Sequence, residues 1–266
     1  VYDLIGQYEK AFLYYEESLK IRIELKVPQA TATSLNNIGS AYASLGQFDK
    51  AFSYFEEALK IFRELKITQN IDRIINNIGN VYLFQKRYKE AEQKFLEGWG
   101  NEGLVDVYLA TDRNDEAIKL LDKMTPAWDD TDSYHILFHT QHGMALNGKG
   151  MFKEASSEFL KAISITEEIR QRVKDKAGFL GARDRIRAYK GIVSAFSERA
   201  IKGEKIDNEF ASYGKDFASA AFYFSESTKA RTLLEQMAQS AKKSQRVDIP
   251  KDLRQKEESL INQLSA

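Results

Sequence analysis

The sequence predicts an all-α chain folded as a right-handed solenoid, an α-α superhelix of antiparallel helix hairpins, and three observations predict it. Segments repeat at a fixed interval of 40 residues, the signature of stacked identical units. Each repeat holds two runs whose apolar residues recur at steps of three and four, which places them on one side of a helix. Only three prolines, Pro28, Pro126 and Pro250, occur in 266 residues, so long helices escape the ~3 kcal/mol penalty of an interior proline.

The repeat is plainest in two segments. Ala32 to Leu65 reads ATSLNNIGSAYASLGQFDKAFSYFEEALKIFREL, and Asp72 to Leu96 reads DRIINNIGNVYLFQKRYKEAEQKFL, with Gly79 answering Gly39. Upstream, Gly6 to Phe12 matches Gly46 to Phe52. In the full copy Leu35, Ile38, Tyr42 and Leu45 form the stripe of a first helix, and Phe48, Ala51, Phe55, Ala58 and Phe62 that of a second. The Leu45-Gly46-Gln47 break is short enough to force the two helices antiparallel, and Gly46 supplies a turn conformation that other residues adopt at a cost. Small residues at Gly39 and Ala51 admit close approach of the backbones, with Tyr42 and Phe55 filling the space around them.

Three regions follow. Residues 1–98 carry regular repeats, the first truncated: Tyr2 takes the place of Tyr42, so the chain reads as a piece of a longer protein. Residues 99–176 carry degenerate copies. Ala117 follows Ala91 by only 26 residues, so the hairpin end near Glu97 is shortened, and Gly98, Gly100 and Gly103 predict an irregular joint over 98–103. A loop is expected from Thr125 to Thr131. Gly150 to Ala155 then restores the motif, with a second helix running toward Arg172. Residues 177–266 predict two long helices, Phe179 to Lys202 and Phe210 to Lys242, and a C-terminal helix from Ile249 to Leu264.

Composition narrows the function. Lys plus Arg and Asp plus Glu both number 39, so no net field draws the chain to nucleic acid or an anionic membrane. The absence of cysteine removes disulfides, thiolate metal sites and a Cys nucleophile, and points to the cytoplasm. No apolar run approaches the ~20 residues of a membrane helix. No phosphate-binding, nucleophile-elbow, dinucleotide or zinc-protease motif is present. The chain is expected to be no enzyme, to need no cofactor and to hold no metal.

The placing of small residues where helices cross, with bulky ones beside them, resembles tetratricopeptide repeat (TPR) proteins from Val1 to about Phe95. The pitch is longer than their usual ~34 residues and is similar to kinesin-light-chain-like repeats. A second resemblance lies in Ala221, Phe222, Glu226, Lys229, Ala230, Arg231, Leu233, Leu234 and Glu235. That string is similar to the closing hairpin of TPR proteins that run into a caspase-like CHAT protease domain. The likeness implies a partner surface in a missing C-terminal domain and carries no catalytic residue over.

By the TPR resemblance, the concave face is lined by Thr33, Asn36, Asn37, Ser40 and Ser44 in one copy and by Arg73, Asn76, Asn77, Asn80 and Phe84 in the next. Asparagine offers a donor and an acceptor, so it can pair with the backbone of an extended peptide of any sequence; Arg73 suits a carboxylate. The bland alternative is that the paired asparagines serve the repeat itself. His135, His139 and His142 share one helix face with Asp132 a turn earlier, a spacing that suits zinc or nickel. The favoured reading is packing, since His139 and His142 take the positions of Leu35 and Ile38. Arg183, Arg185, Arg187 and Lys190 spread around a helix and read as a solvated face. The sequence therefore predicts a protein-interaction scaffold holding a peptide or protein in its groove. Its alternatives are a regulatory arm of a CHAT protease and a receptor for a short signalling peptide.

Overall fold

The computed structural model describes residues 8–124, 132–172 and 183–229, with the side chains of 8–13 and 183–185 excepted. The loop expected over 125–131 and the C-terminal helix lie outside the described residues. Every regular element described is helical: α1 (Tyr8–Glu24), α2 (Pro28–Ser44), α3 (Phe48–Glu64), α4 (Thr68–Phe84), α5 (Tyr88–Glu97), α6 (Asn101–Ala110), α7 (Asn114–Leu121), α8 (Asp132–Gly148), α9 (Phe152–Arg172), α10 (Arg183–Ile201), a 3-10 turn (Asn208–Tyr213) and α11 over 217–229. They fall into two compact units, Val1–Leu120 and Leu121–Ala266.

The helices of the first unit are cut to length by one recurring turn. Lys26, Gly46, Lys66, Lys86, Trp99 and Asp112 all have positive φ, between 53° and 74°. In each case the next N–H closes on the carbonyl five residues back, as from Ile67 to Phe62 at 3.1 Å and from Gly100 to Phe95 at 2.8 Å. This is the left-handed helix ending that satisfies orphan carbonyls. Gly46 occupies it at no steric cost, whereas the five other side chains each cost about 1 kcal/mol. Because only three residues separate one helix from the next, successive helices lie antiparallel.

Packing then follows the stripes. Ala51, Phe55, Ala58 and Phe62 of α3 are fully buried with Ala32, Ile74 and Val81 in one cluster. A Cβ on Gly39 would come within 2.8 Å of the Phe55 ring, and one on Gly79 within 2.8 Å of Phe95, so these glycines set how closely the helices approach. Tyr42 packs against the same cluster and stacks on Tyr54 at 5.4 Å between centroids, with Lys50 Nζ 5.1 Å from the centre of its ring.

The α6–α7 hairpin is the same unit with its outer turns removed. Tyr108 and Arg113 stand 26 residues after Tyr82 and Arg87, and each arginine lies over its tyrosine, at 4.3 and 4.5 Å from the ring centroid. The short α5 ends at Glu97 and Gly98–Gly100 turns directly into α6.

In the second unit, α8, α9 and α10 pack on one another. Phe159 of α9 sits under Gly143 of α8, where a Cβ would come within 2.8 Å of the ring. Phe196, Phe210, Phe217 and Phe224 form an aromatic cluster, with the first two rings 5.0 Å apart. The helix expected from Phe210 instead begins at residue 217. Asp216 supplies its start, its carboxylate accepting from the Ser219 backbone N–H at 2.7 Å, while Phe210 lies in the 3-10 turn.

Candidate peptide-binding face

In the first unit the first helices touch one another, α2 with α4 and α4 with α6, in addition to the contacts each makes with second helices. Direct contact along the row of first helices is what the inner side of a stack of hairpins produces. On α4 this row carries Arg73, Asn77, Asn80 and Phe84, spaced four, three and four residues apart and therefore on one face. Thr33, Asn37, Ser40 and Ser44 occupy the same positions on α2.

The structure divides these residues into two groups. Asn36 is buried, 5% exposed, and its Oδ1 accepts from Asn77 Nδ2 at 2.8 Å. This bond ties α2 to α4 across 41 residues of sequence. Asn76 turns the other way and donates through Nδ2 to the Gly98 carbonyl at 2.8 Å, holding the short turn after α5. Its Oδ1 is buried without a hydrogen-bond partner in the described structure; in the 26-residue register the counterpart of Asn77 is Gly103, which brings no amide. A Cβ on Gly98 would meet this oxygen at 2.5 Å, so the turn closes over it only as glycine.

Asn36 and Asn76 were expected among the groove-lining residues, free to reach a ligand, and in that respect the geometry corrects the sequence reading. Asn36 is buried and paired with Asn77, and half-buried Asn76 gives its NH2 to the Gly98 carbonyl, so both are engaged within the fold. Asn37, Arg73, Asn80 and Phe84 are exposed, Phe84 by 53%, and Ser40 and Asn77 are half-buried. The hydroxyls of Thr33, Ser40 and Ser44 donate to Gln29, Asn36 and Ser40 carbonyls of their own helix at 2.9, 3.0 and 3.0 Å. Their hydrogens are therefore used within α2.

The second unit does not repeat this polar row. In the register that aligns Gly143 with Gly39, Asn36 and Asn37 become Thr140 and Gln141, both buried. His139 and His142 are half-buried as expected of packing positions, yet their contact is polar: Nδ1 of His139 lies 2.7 Å from Glu158 Oε2 and Nδ1 of His142 lies 3.6 Å from it, with Lys161 on Oε1 at 2.8 Å. Burial would raise the Glu158 carboxyl pKa, but the hydrogen bonds from His139, His142 and Lys161 outweigh it and hold the group well below the usual carboxylate range. Among the described residues no group of three His, Cys, Asp or Glu side chains is arranged so that it could hold a metal ion. Of the basic string on α10, Lys190 is exposed and Arg187 half-buried.

Two polar centres were missed by sequence reasoning. Glu158 stands where the first unit has Tyr54, and a charge at an apolar position opposite two histidines was the available signal. Arg199, 2% exposed, pairs with Glu204 at 2.7 Å and Asp207 at 2.6 Å and lies over Phe217. An arginine in a mixed-charge stretch gives no sign of that burial.

The tetratricopeptide repeat family matches residues 30–98, the stretch where the 40-residue pitch is most regular. No curated protein matches the chain. Among solved structures, BtubC (BKLC) from P. vanneervenii is similar at 17% identity over 86% of this chain and 74% of that one, with a TM-score of 0.37. A kinesin light chain-type protein of nearly identical TPR-like repeats from Podosopora anserina is similar at 13% identity over 89% and 92%, again with a TM-score of 0.37. Likeness of that size carries no argument, and the fold rests on the helix hairpins described above. Those hairpins make the fold all-α and TPR-like, and repeats of this kind generally mediate contacts between proteins. No described helix is long and apolar enough to cross a membrane.

Proposed function

We propose that this chain is a protein-interaction module that holds an extended peptide segment along α2 and α4 of the first unit. One observation carries the reading. The row where first helices touch presents Arg73, Asn80 and Phe84 on α4 beside Asn37 and Ser40 on α2, exposed or half-exposed, while the neighbouring asparagines are consumed by the fold. Exposed and half-exposed side chains that line one face are what a ligand can use: amides for a peptide backbone, a guanidinium for a carboxylate, a ring for an apolar side chain. No catalytic step is assigned, and the cytoplasm is the compartment that fits a cysteine-free chain.

The test selects binders from a random peptide display library and measures the best by calorimetry. Asn80→Ala with Phe84→Ala should weaken binding at least tenfold, whereas Tyr223→Ala in the second unit should not. Equal affinity for the double variant would remove this face from the site. The finer readings, a regulatory arm for a CHAT protease or a signalling-peptide receptor, rest on the motif from Ala221 to Glu235 and on the groove alone. They are separated by whether the parent reading frame continues into a domain with His and Cys, and by tight binding of a free short peptide.

A further inference from the structure

The turn between α5 and α6 carries Trp99, at 81% the most exposed large apolar side chain among the described residues. Its φ is 55°, in a region where a bulky side chain is strained and glycine or asparagine is not. The two preceding turns from a second helix to a first place lysine there, Lys26 and Lys66, whose ammonium groups belong in water. An indole in water gains nothing of the kind. The backbone beneath it is nevertheless fixed. Asn76 holds the Gly98 carbonyl at 2.8 Å, and the Gly100 N–H donates to the Phe95 carbonyl at 2.8 Å. A Cβ on Gly98 would come within 2.9 Å of the Asp72 carbonyl, so the turn lies against the stretch of α4 that carries Arg73.

Charge selects what such a ring would meet. From Glu90 to Glu116 the chain holds eight acidic residues and two basic ones, Lys94 and Arg113, in a protein of zero net charge. Both bases are already taken, Lys94 by Glu97 at 2.6 Å and Arg113 by Glu92 and Glu116 at 2.9 and 3.0 Å. The segment around Trp99 is therefore negative, with Glu102 exposed in the first turn of α6. An indole is the best aromatic seat for an ammonium or guanidinium, and a negative field adds to that attraction while it opposes a carboxylate. Leu96, three residues earlier and 60% exposed, suits the aliphatic stem of a long basic side chain. We propose that Trp99 belongs to the binding face as the seat of a lysine or arginine of the bound peptide, in a cation–π contact. This rests on the peptide reading above: the peptide runs along α4 past Arg73 and onto the turn at 98–100. Strain and an exposed indole both burden the free chain, and binding recovers them. A side chain with two torsions on a fixed backbone also loses little freedom when it is covered.

The experiment has an arm without ligand and an arm with one. Asparagine tolerates a positive φ, so Trp99→Asn should leave the melting temperature unchanged or raise it. A fall would show that the indole is held within the chain, and would overturn the assignment. Peptides selected on the native chain from a random display library should then share a lysine or arginine at one position. Trp99→Asn should weaken the best of them at least tenfold, and replacing that basic residue by glutamine should do the same. The two changes together should cost little more than either alone, because they remove one contact. Independent losses, or coupling of Trp99 to an apolar or acidic residue of the peptide, overturn the assignment. Binding that falls with Asn80→Ala and Phe84→Ala but not with Trp99→Asn also overturns it and leaves the peptide face standing. Binding indifferent to all three, or a library that yields no binder, removes the face and this inference with it.

Discussion

Asn77→Ala is the perturbation that most directly tests how the first helices are joined. Asn36 is 5% exposed, and its Oδ1 accepts from Asn77 at 2.8 Å. Removing Asn77 leaves that oxygen buried and unpaired, which costs about 1–3 kcal/mol. Removing Asn36 instead leaves the amide of a half-buried residue that can turn toward water, so Asn36→Ala should cost about 1 kcal/mol plus its lost packing. The double variant should cost less than the sum, with a coupling of about 1 kcal/mol. Asn37 is the internal control: it has the repeat position of Asn77 but is exposed, so Asn37→Ala should stay within about 0.5 kcal/mol. Native-state hydrogen exchange on α2 and α4 amides is the suitable assay, because a solenoid opens in parts and one global midpoint would average them. A coupling below about 0.3 kcal/mol, or an Asn37→Ala loss equal to that of Asn77→Ala, would refute the assignment.

Other expectations follow from single positions. Phe55→Ala, at a fully buried ring, should cost about 3–5 kcal/mol; chemical denaturation that shows less than half of this would mean the hairpin collapses onto the cavity. Lys66 has φ 57°, so Lys66→Gly should be neutral or stabilising by up to about 1 kcal/mol, and Lys66→Val should be destabilising; the order of their melting temperatures decides. Glu158 has its folded pKa depressed, so its contribution is complete above the unfolded value of about 4.3 and fades as pH falls below it toward the folded value. Glu158→Gln should therefore lower the melting temperature at pH 7, with the gap to the native chain closing in acid; a gap constant down to pH 3 would contradict it.

The hairpins were legible because their cause is local. A stripe at steps of three and four states which side of a helix is buried, and one short turn with a glycine states that the next helix comes back. What stayed hidden depended on partners far along the chain. The pair Asn36-Asn37 reads identically to Asn76-Asn77, yet the first Asn of one copy bonds to the second Asn of the next, and the first Asn of that next copy bonds to a turn carbonyl. No periodicity distinguishes those fates; they follow from Gly103 standing where an amide would be needed. Likewise Lys26, Lys66, Lys86, Trp99 and Asp112 give no composition cue for a left-handed turn, because the helix ending is imposed by stacking that outweighs about 1 kcal/mol of strain. The candidate face was legible as a row of positions, and only its division into structural and exposed members required the packed helices.

The aromatic residue at the Phe55 position has one further role in the copies where the row continues. Phe95 touches Gly79 of its own first helix and also Gly103 of the next; Phe159 touches Gly143 and also Gly191. One ring thus fixes the spacing of two successive first helices, in each unit separately. This makes the sign of Gly191→Ala decidable. Alanine favours a helix over glycine by about 1 kcal/mol, so at an open site the substitution would stabilise α10. Here the new methyl would sit closer to the Phe159 ring than the 2.8 Å found at Gly143, and that ring is fully buried with nowhere to move. Overpacking of this kind costs about 1–3 kcal/mol, enough to cancel or exceed the helix gain. Gly191→Ala should therefore leave the melting temperature unchanged or lower it, and Gly191→Ala with Phe159→Leu should recover part of the loss relative to Phe159→Leu alone. A clear rise in melting temperature for Gly191→Ala by itself would show that the ring does not set the distance between α8 and α10.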